Sequence, residues 1–230
     1  MSDILASSAV FGMLISLLLY KLGTILKKKF RSGLVNPLLI AIAGTIALLL
    51  ATGVEYESYA EATEPLSYLL TPATVCLAIP LYRQLALLKK SWKAVIGGIA
   101  IGTLTSLTCI FLLALAFRLD GAQYATLLPK SITTAIGMGV SNELGGIETI
   151  TVAVIVLTGI AGNVMAEPVC RLFRITDPVA QGVAIGTSAH AIGTARALEM
   201  GQVTGAMSGL SIAVAGIMTV VLAPVFAGFI

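Results

Sequence analysis

The residues best suited to chemistry are polar and titratable side chains that lie within otherwise apolar stretches. The segment AIGTSAHAIGTAR, residues 184–196, holds the single histidine of the chain, His190, and ends on Arg196. An unperturbed histidine titrates at about pH 6.5 and can exchange protons at physiological pH, and the planar guanidinium of an arginine matches a carboxylate. These two side-chain types predict a proton site at His190 and an anion site at Arg196. A packed, hydrogen-bonding role for His190 and a pair of Arg196 with Glu199 or Glu143 are the alternatives.

A second polar group follows Pro129 in PKSITTAIGMGVSNE. It contains a cation, several hydroxyls, an amide and a carboxylate: Lys130, Ser131, Thr133, Thr134, Ser141, Asn142 and Glu143. Ionisable side chains within a bilayer are costly and therefore indicate function. Lys130 could instead extend to the membrane interface, and Glu143 could cap a helix end at the surface.

The elements that carry these residues are predicted to be membrane helices. The chain is 57% hydrophobic and 11% charged, whereas soluble domains contain roughly 25% charged residues. A bilayer crossing needs about 20 apolar residues, and the uncharged runs are residues 4–20, 32–54, 65–82, 94–117, 149–166 and 200–230. We expect an all-α, polytopic bundle of about seven crossings that forms a single membrane domain over residues 1–230. Residues 1–64 would be its N-terminal helices, and residues 65–230 would carry a repeated motif.

The charge pattern predicts how the chain is oriented. Basic residues cluster at 27–31, at 83–93 and more weakly at 171–174, and acidic residues cluster at 55–64. The excess of Lys and Arg in cytoplasmic loops places Lys27–Arg31 and Arg83–Lys93 inside and the N-terminus outside. Three full crossings between Lys93 and Arg171 would put Arg171 outside, and residues 131–142 are too few for a straight span. We expect a re-entrant or broken segment there, with a short tilted span as the alternative.

A short motif recurs three times and predicts half-helices. PATVCLAIP (72–80), PKSITTAIG (129–137) and PVAQGVAIG (178–186) share a proline, five residues, Ala-Ile and then Pro or Gly. Proline suits the first turn of a helix, and the final Pro80, Gly137 or Gly186 is expected to interrupt it. The free N–H groups of half-helix N-termini favour anions, and paired interrupted segments indicate the midplane site of a transporter. Chance similarity in an Ala/Ile/Gly-rich chain is the alternative.

Other patterns predict packing and exclude several functions. Gly98 and Gly102, and the ridge of Gly201, Gly205 and Gly209, are typical of close helix contacts. Gly182, Gly186, His190 and Thr194 would share one helix face. The three cysteines lack metal-site spacing, and no catalytic motif is present. We expect no enzyme activity, no metal, no organic cofactor and no nucleic-acid partner.

Three segments together resemble a known family. LLTPATVCLAIPLYRQ, LLPKSITTAIGMGVSNELGG and GVAIGTSAHAIGTARALEMG resemble the LrgB/CidB/YohK family of bacterial inner-membrane proteins, and the likeness covers essentially the whole chain. The family is similar to the C-terminal half of the plastid glycolate/glycerate transporter, which implies movement of small carboxylates. Its older description implies a holin- or antiholin-like modulator of murein hydrolase activity and cell lysis. A separate LrgA/CidA-type small membrane protein is the partner that the resemblance implies.

Two hypotheses follow for the chain. The first is a secondary transporter of small monocarboxylates such as glycolate, glycerate or pyruvate, coupled to H⁺ or Na⁺ and working in the inner membrane, with a homo-oligomer expected. Proton coupling is assigned to His190 and Glu143, and substrate binding to Thr74, Lys130, Ser131, Thr133, Thr134, Asn142, Thr194 and Arg196. The second is the holin- or antiholin-like regulator, which would need helix-packing faces but no saturable site.

Overall fold

The computed structural model describes residues 9–30, 37–69, 72, 75–76 and 78–230. Every regular element within the described residues is an α-helix, which confirms the predicted all-α class. The chain divides into two compact units, an N-terminal unit of residues 1–76 and a C-terminal unit of residues 77–230. The expectation of one membrane domain, with its N-terminal helices ending at residue 64, stays a prediction. The helix Tyr56–Tyr68 continues past that residue.

The N-terminal unit consists of helices α1 (Ala9–Phe30), α2 (Pro37–Thr52) and α3 (Tyr56–Tyr68). Small residues let α1 approach both neighbours: a Cβ at Gly12 would lie 2.9 Å from the Ala62 Cβ of α3. The hydroxyls of Ser16 and Tyr59 add a hydrogen bond of 2.6 Å between α1 and α3. The unit is therefore a small helical bundle in which a hydrogen bond between two side chains joins α1 and α3.

The C-terminal unit contains the predicted functional segments. Its helices are α4 (Ala78–Arg83), α5 (Leu85–Phe117), α6 (Gly121–Leu127), α7 (Thr134–Glu143), α8 (Glu148–Leu172), α9 (Pro178–Met200) and α10 (Gln202–Ala227). One apolar cluster joins α5 to the α6–α7 region and includes Leu107 and Tyr124, and the Tyr124 hydroxyl donates to the Phe226 carbonyl of α10 at 3.1 Å. A second cluster joins α5, α9 and α10 through Ile99, Val183 and Met207. The long helices α5, α9 and α10 thus share one core.

Several helices are suited to crossing a membrane. Among the described residues, Val10–Phe30, Lys89–Phe117, Glu148–Leu172 and Gln202–Ala227 are long and apolar enough, and Pro37–Thr52 is a shorter apolar helix. Together with the many exposed Leu, Ile, Val and Phe side chains along them, these helices indicate a multi-pass membrane protein. The number of crossings, expected to be about seven, stays a prediction.

The segment between α6 and α8 turns back on itself. Helix α7 has 10 residues and is about 15 Å long, half the thickness of a bilayer core of about 30 Å. The Ile147 backbone N–H donates to the Thr126 hydroxyl at 2.7 Å, and the Thr151 hydroxyl contacts the Ser141 hydroxyl at 2.6 Å. Because Thr126 and Ile147 adjoin, the chain between them leaves and returns at the same level. The geometry agrees with the predicted re-entrant segment and not with a short tilted span.

The predicted interruptions at Gly137 and Gly186 are wrong. The Gly137 N–H donates to the Thr133 carbonyl at 2.8 Å within α7, and Gly186 lies inside the first half of α9. Both glycines serve close packing instead: a Cβ at Gly137 would overlap the Ile155 side chain, and one at Gly186 would lie 2.8 Å from the Ser208 Cα. Both glycines keep helical geometry, and their missing side chains let a neighbouring helix approach closely.

The prediction that the motif's first proline opens a helix holds for Pro178 and is wrong for Pro129. Pro178 stands in the first turn of α9, and the Asp177 carboxylate caps that turn by accepting from the Val179 and Ala180 N–H groups, each at 2.9 Å. Pro129 lies in a turn before α7, which begins at Thr134, and Pro80 lies inside α4. Thr74 of the first motif lies outside the described residues. The second and third copies of the motif therefore do not produce equivalent half-helices.

Candidate functional site

Helix α9 is broken, and the break falls on the histidine. His190 has φ 40° and ψ −141°, a non-helical conformation between two helical halves. Side chains other than glycine rarely adopt positive φ, and such a residue costs roughly 1–3 kcal/mol unless its surroundings fix it. The break was predicted four residues earlier, at Gly186, and the structure places it at His190.

The surroundings of His190 come from α8. The ring is 2% exposed, and its Nε2 lies 3.0 Å from the Ile155 carbonyl oxygen. A Cβ at Gly159 would lie 2.7 Å from the ring atom Cε1, so only glycine leaves room for the imidazole there. The ring is buried against a neighbouring helix and does not face lipid.

Two further residues of α8 hold the break and were missed from the sequence. The Asn163 side-chain amide donates to the Ile192 carbonyl at 2.8 Å, just after the break. Gly162 packs so closely on Ala189 that a Cβ there would overlap the Ala189 Cβ. The available signal was Asn163 itself, because a polar amide within an apolar span needs a buried partner.

The opposite side of α9 packs on α10. Cβ atoms at Gly182 and Gly186 would lie 2.7 Å from the Met207 Cβ and 2.8 Å from the Ser208 Cα, respectively. The Thr194 hydroxyl lies 2.6 Å from the Ser208 hydroxyl and donates to the His190 carbonyl at 2.9 Å. The predicted shared face is therefore right for Gly182, Gly186 and Thr194, and wrong for His190, since the break turns its ring towards α8.

A groove of about 1040 Å³ lies between α5 and the first half of α9. Lys130 and Ser131 line it near its end at Ser106 and Cys109. The Lys130 Nζ donates to the Ser131 hydroxyl at 3.0 Å, and the hydroxyls of Ser106 and Ser131 are 3.1 Å apart. The structure thus brings Lys130 and Ser131 together at the groove, and His190 is not among the residues that line it.

Helix α7 starts beside that region. Thr133 occupies the N-cap position without a side-chain capping hydrogen bond, and Thr134 is the first helical residue. Both side chains are half-buried. The positive end of the α7 dipole therefore begins three residues after Ser131, in the arrangement that favours an anion.

Other predicted site residues lie elsewhere. Arg196 binds Glu167 at 2.8 Å and also pairs with Glu199. Asn142 and Glu143 are exposed at the C-terminal end of α7, and neither is among the residues that line the groove. The roles of Arg196, Asn142 and Glu143 in binding or proton coupling stay predictions. The described residues contain no group of three or more His, Cys, Asp or Glu side chains that could hold a metal ion.

The groove is also bordered by a hydroxyl without a partner. Thr187 lines the groove, its side chain is 6% exposed, and its Oγ1 makes no hydrogen bond in the described part of the chain. The neighbouring helix is close here, because a Cβ at Gly102 would lie 2.9 Å from the Thr187 Cγ2. An unmatched hydroxyl inside a membrane bundle is costly and marks this wall of the groove as polar.

Comparison with known proteins identifies one family. The profile of the LrgB-like family matches residues 16–229. The chain is 37% identical to the antiholin-like protein LrgB of Bacillus subtilis (strain 168) over 220 residues, which cover 95% of each chain. It is 36% identical over 221 residues to the antiholin-like protein LrgB of Bacillus cereus (strain B4264) and to that of Bacillus anthracis (strain CDC 684 / NRRL 3495), with 96% of each chain covered. No solved structure matches the chain.

Proposed function

Because the chain belongs to the LrgB-like family, we propose that it acts as an antiholin-like membrane protein that modulates murein hydrolase activity and cell lysis. The observation that carries this proposal is the 37% identity to an antiholin-like protein LrgB over 95% of both chains. The alignment covers nearly the whole length of both proteins, so the similarity is not confined to one segment. The helical, multi-pass architecture is compatible with a role in the membrane that involves no catalysis.

A deletion strain tests this function directly. We expect cells without the gene to lyse faster in stationary phase and to show higher murein hydrolase activity on zymograms, with the wild-type gene restoring both. Cells that carry Gly186→Leu should behave like the deletion if the packed α9–α10 pair is needed. Unchanged lysis and unchanged hydrolase activity, in both the deletion and an overexpressing strain, would rule the proposal out.

A second candidate function is secondary transport of small monocarboxylates of the glycolate, glycerate or pyruvate type. The observation that favours it is Lys130, a half-buried cation with no carboxylate partner among the described residues. An uncompensated cation in a membrane protein interior calls for an anion. A regulator that worked only through helix packing would have no use for this charge.

The chain's own residues would divide the transport work. Lys130 would supply the countercharge, and the Ser131 hydroxyl and the N-terminus of α7 at Thr133 and Thr134 would orient the carboxylate. His190, at the break of α9, would exchange the coupling proton. The break at His190 would allow the first half of α9 to move relative to the second half, as discontinuous helices do in transporters. Thr74, Asn142, Glu143, Thr194 and Arg196 keep their predicted roles as part of this proposal.

Purified protein in liposomes separates the two functions. Uptake of labelled pyruvate, glycolate and glycerate is measured under an imposed pH gradient for wild type, Lys130→Gln and His190→Ala. Saturable uptake that both substitutions abolish is the expected result for a transporter. Leakage of an entrapped dye without saturable uptake would instead favour a pore, and uptake that survives Lys130→Gln would refute the assigned site.

The cellular setting is proposed from the charge pattern and the family. We place the protein in the bacterial inner membrane, with Lys27–Arg31 and Arg83–Lys93 in the cytoplasm and the N-terminus outside. A homo-oligomer, an LrgA/CidA-type small membrane protein as partner, and H⁺ or Na⁺ as coupling ion belong to the same proposal. Single-cysteine labelling from each side of the membrane would establish or overturn this orientation.

A further inference from the structure

We propose that the groove between α5 and α9 binds a monocarboxylate with an unbranched apolar chain, with the carboxylate at Lys130 and Ser131 and the chain along the groove. The inference rests on the second proposed function for its site and adds the class of ligand. It differs from that proposal because glycolate and glycerate carry hydroxyls, whereas the ligand proposed here is apolar beyond its charged end.

The charged end of the ligand follows from Lys130. Its ammonium donates to the Ser131 hydroxyl at 3.0 Å, and the Ser106 hydroxyl stands 3.1 Å from that of Ser131. No carboxylate within the described ranges lies at ion-pair distance from Lys130. One anionic group that accepts from the ammonium and from one of the two serine hydroxyls would complete this cluster, since charge-assisted hydrogen bonds are the strong ones.

The body of the ligand follows from the walls of the groove. Between Ser106 and Ser91 the walls are formed mainly by Val95, Gly98 and Ile101 of α5 and by Val179, Val183 and Ala184 of α9, and Thr105, Thr187 and Ser188 add hydroxyls. Along α5, the groove continues from Ser106 to Ser91, a distance of about 22 Å at 1.5 Å per residue. The groove has room for an alkyl chain of several carbons, and most of its wall is apolar.

A second charge on the ligand would be poorly placed. Lys90 and Asp177 line the far end of the groove, with opposite charges, and that end lies about five helical turns of α5 away from Lys130. The second carboxylate of a short dicarboxylate would meet the apolar walls, where an unpaired charge is strongly disfavoured. The ligand is therefore a monocarboxylate.

Binding to the full chain in nanodiscs of zwitterionic lipid tests the proposal with matched probes. Equilibrium binding of acetate, butyrate, hexanoate, adipate, hexanol and hexylamine is measured, and binding to empty nanodiscs is subtracted. We expect hexanoate to bind saturably and at least tenfold more tightly than acetate, since each buried CH₂ contributes up to about fourfold. Adipate, hexanol and hexylamine should each bind at least tenfold more weakly than hexanoate.

Variants assign the binding to the groove. Lys130→Gln should abolish hexanoate binding, and Lys130→Arg should retain it. Lys93→Gln removes an exposed cation of α5 that does not line the groove, and it should leave binding unchanged. Ala184→Leu should weaken hexanoate and spare acetate, whereas Ala153→Leu on the exposed side of α8 should affect neither. Hexanol that binds as tightly as hexanoate, or hexanoate binding that survives Lys130→Gln, would overturn the proposal.

Failure of this inference and failure of the transport function give different results. Saturable liposome uptake of glycolate or pyruvate without any gain from a longer chain would keep transport and refute the apolar ligand. Chain-length-dependent hexanoate binding without uptake in liposomes would keep the ligand site and refute transport.

Discussion

Helix α9 contacts its two neighbours by different means. Towards α10 it presents Gly182 and Gly186, and the backbones approach so closely that no side chain fits between them. Towards α8 it presents the break, where two bonds run from side chains to backbone carbonyls, His190 to Ile155 and Asn163 to Ile192. Gly159 and Gly162 of α8 also leave room there for His190 and Ala189. The first contact is a steric fit along a helix, and the second combines close packing with a polar clamp at the break.

The difference indicates which contact can change during function. A glycine-lined contact has one close-packed arrangement, because any shift along the helix brings Cβ atoms against backbone. A clamp made of a few hydrogen bonds in a membrane holds only about 0.6 kcal/mol per bond on average, and such bonds can be exchanged for others. Because the α10 contact extends along α9 from Gly182 to Thr194 and the α8 contact is concentrated at the break, we expect α9 and α10 to move as one body and the α8 contact to open and close.

The largest effect is expected on the α10 side. Gly186→Leu must push α9 away from Ser208, and we expect a loss of about 3 kcal/mol, at the upper end of the usual range for overpacking. The thermal unfolding midpoint in detergent measures it. Gly139→Leu is the matched control, since a Cβ at that helical glycine of α7 meets nothing within 4 Å. Equal midpoints for the two variants would contradict the steric fit.

The polar clamp gives the next effect. Asn163→Leu removes the donor to the Ile192 carbonyl and leaves that carbonyl without this partner, which we expect to cost about 1–2 kcal/mol. Met165→Leu, an exposed residue of the same helix, serves as the control. Hydrogen exchange should also rise around residues 188–194 in Asn163→Leu and not in the control. If exchange were unchanged there, Asn163 would not hold the break.

The fold could be predicted further from the sequence than the site could. Charged residues are costly inside a bilayer, so long runs without charge indicate membrane helices. The helical class could therefore be predicted from composition. The return of the chain between Thr126 and Ile147 also followed, since residues 131–142 are too few to cross. These conclusions depend on length and charge, which a sequence states directly.

The position of the break could not be predicted in the same way. Glycine in a sequence is compatible with a helix interruption and with a close contact, and only the neighbouring Ser208 and Ile155 show that Gly186 and Gly137 belong to the second class. The break at His190 is fixed by Gly159 and Asn163 of α8, which lie about 30 residues away in sequence. Likewise, Lys130 and Arg196 are both cations in apolar surroundings, and only their partners, hydroxyls for one and carboxylates for the other, separate a candidate ligand site from an ion pair.

The break at His190 predicts that substitution by Gly is less destabilising than substitution by Ala, the reverse of the order in a regular helix. In a regular helix, Ala is more stable than Gly by about 1 kcal/mol. At the positive φ of His190 the order should reverse, because Gly adopts this conformation without strain and Ala does not. His190→Gly should therefore unfold at a higher temperature than His190→Ala, although both lose the bond to Ile155. A higher midpoint for His190→Ala would mean that α9 is continuous at this residue.

The smallest effect is expected where the second half of α9 meets α8 through Arg196 and Glu167. A guanidinium nitrogen of Arg196 lies 2.8 Å from a carboxylate oxygen of Glu167, but the two side chains are 26% and 37% exposed. Partly exposed ion pairs contribute about 0.2–1 kcal/mol to the free energy of unfolding. A double-mutant cycle of Arg196→Gln and Glu167→Gln should give a coupling in that range, and the coupling should shrink between 0.05 and 0.5 M salt, roughly as the screening length shortens. Lys130→Gln offers the contrast, since no carboxylate in the described part of the chain pairs with it and no such coupling with Glu167 is expected. A coupling above about 2 kcal/mol that salt does not change would instead describe a buried pair, and would make the Arg196 contact, not the His190 clamp, the main tie between α8 and α9.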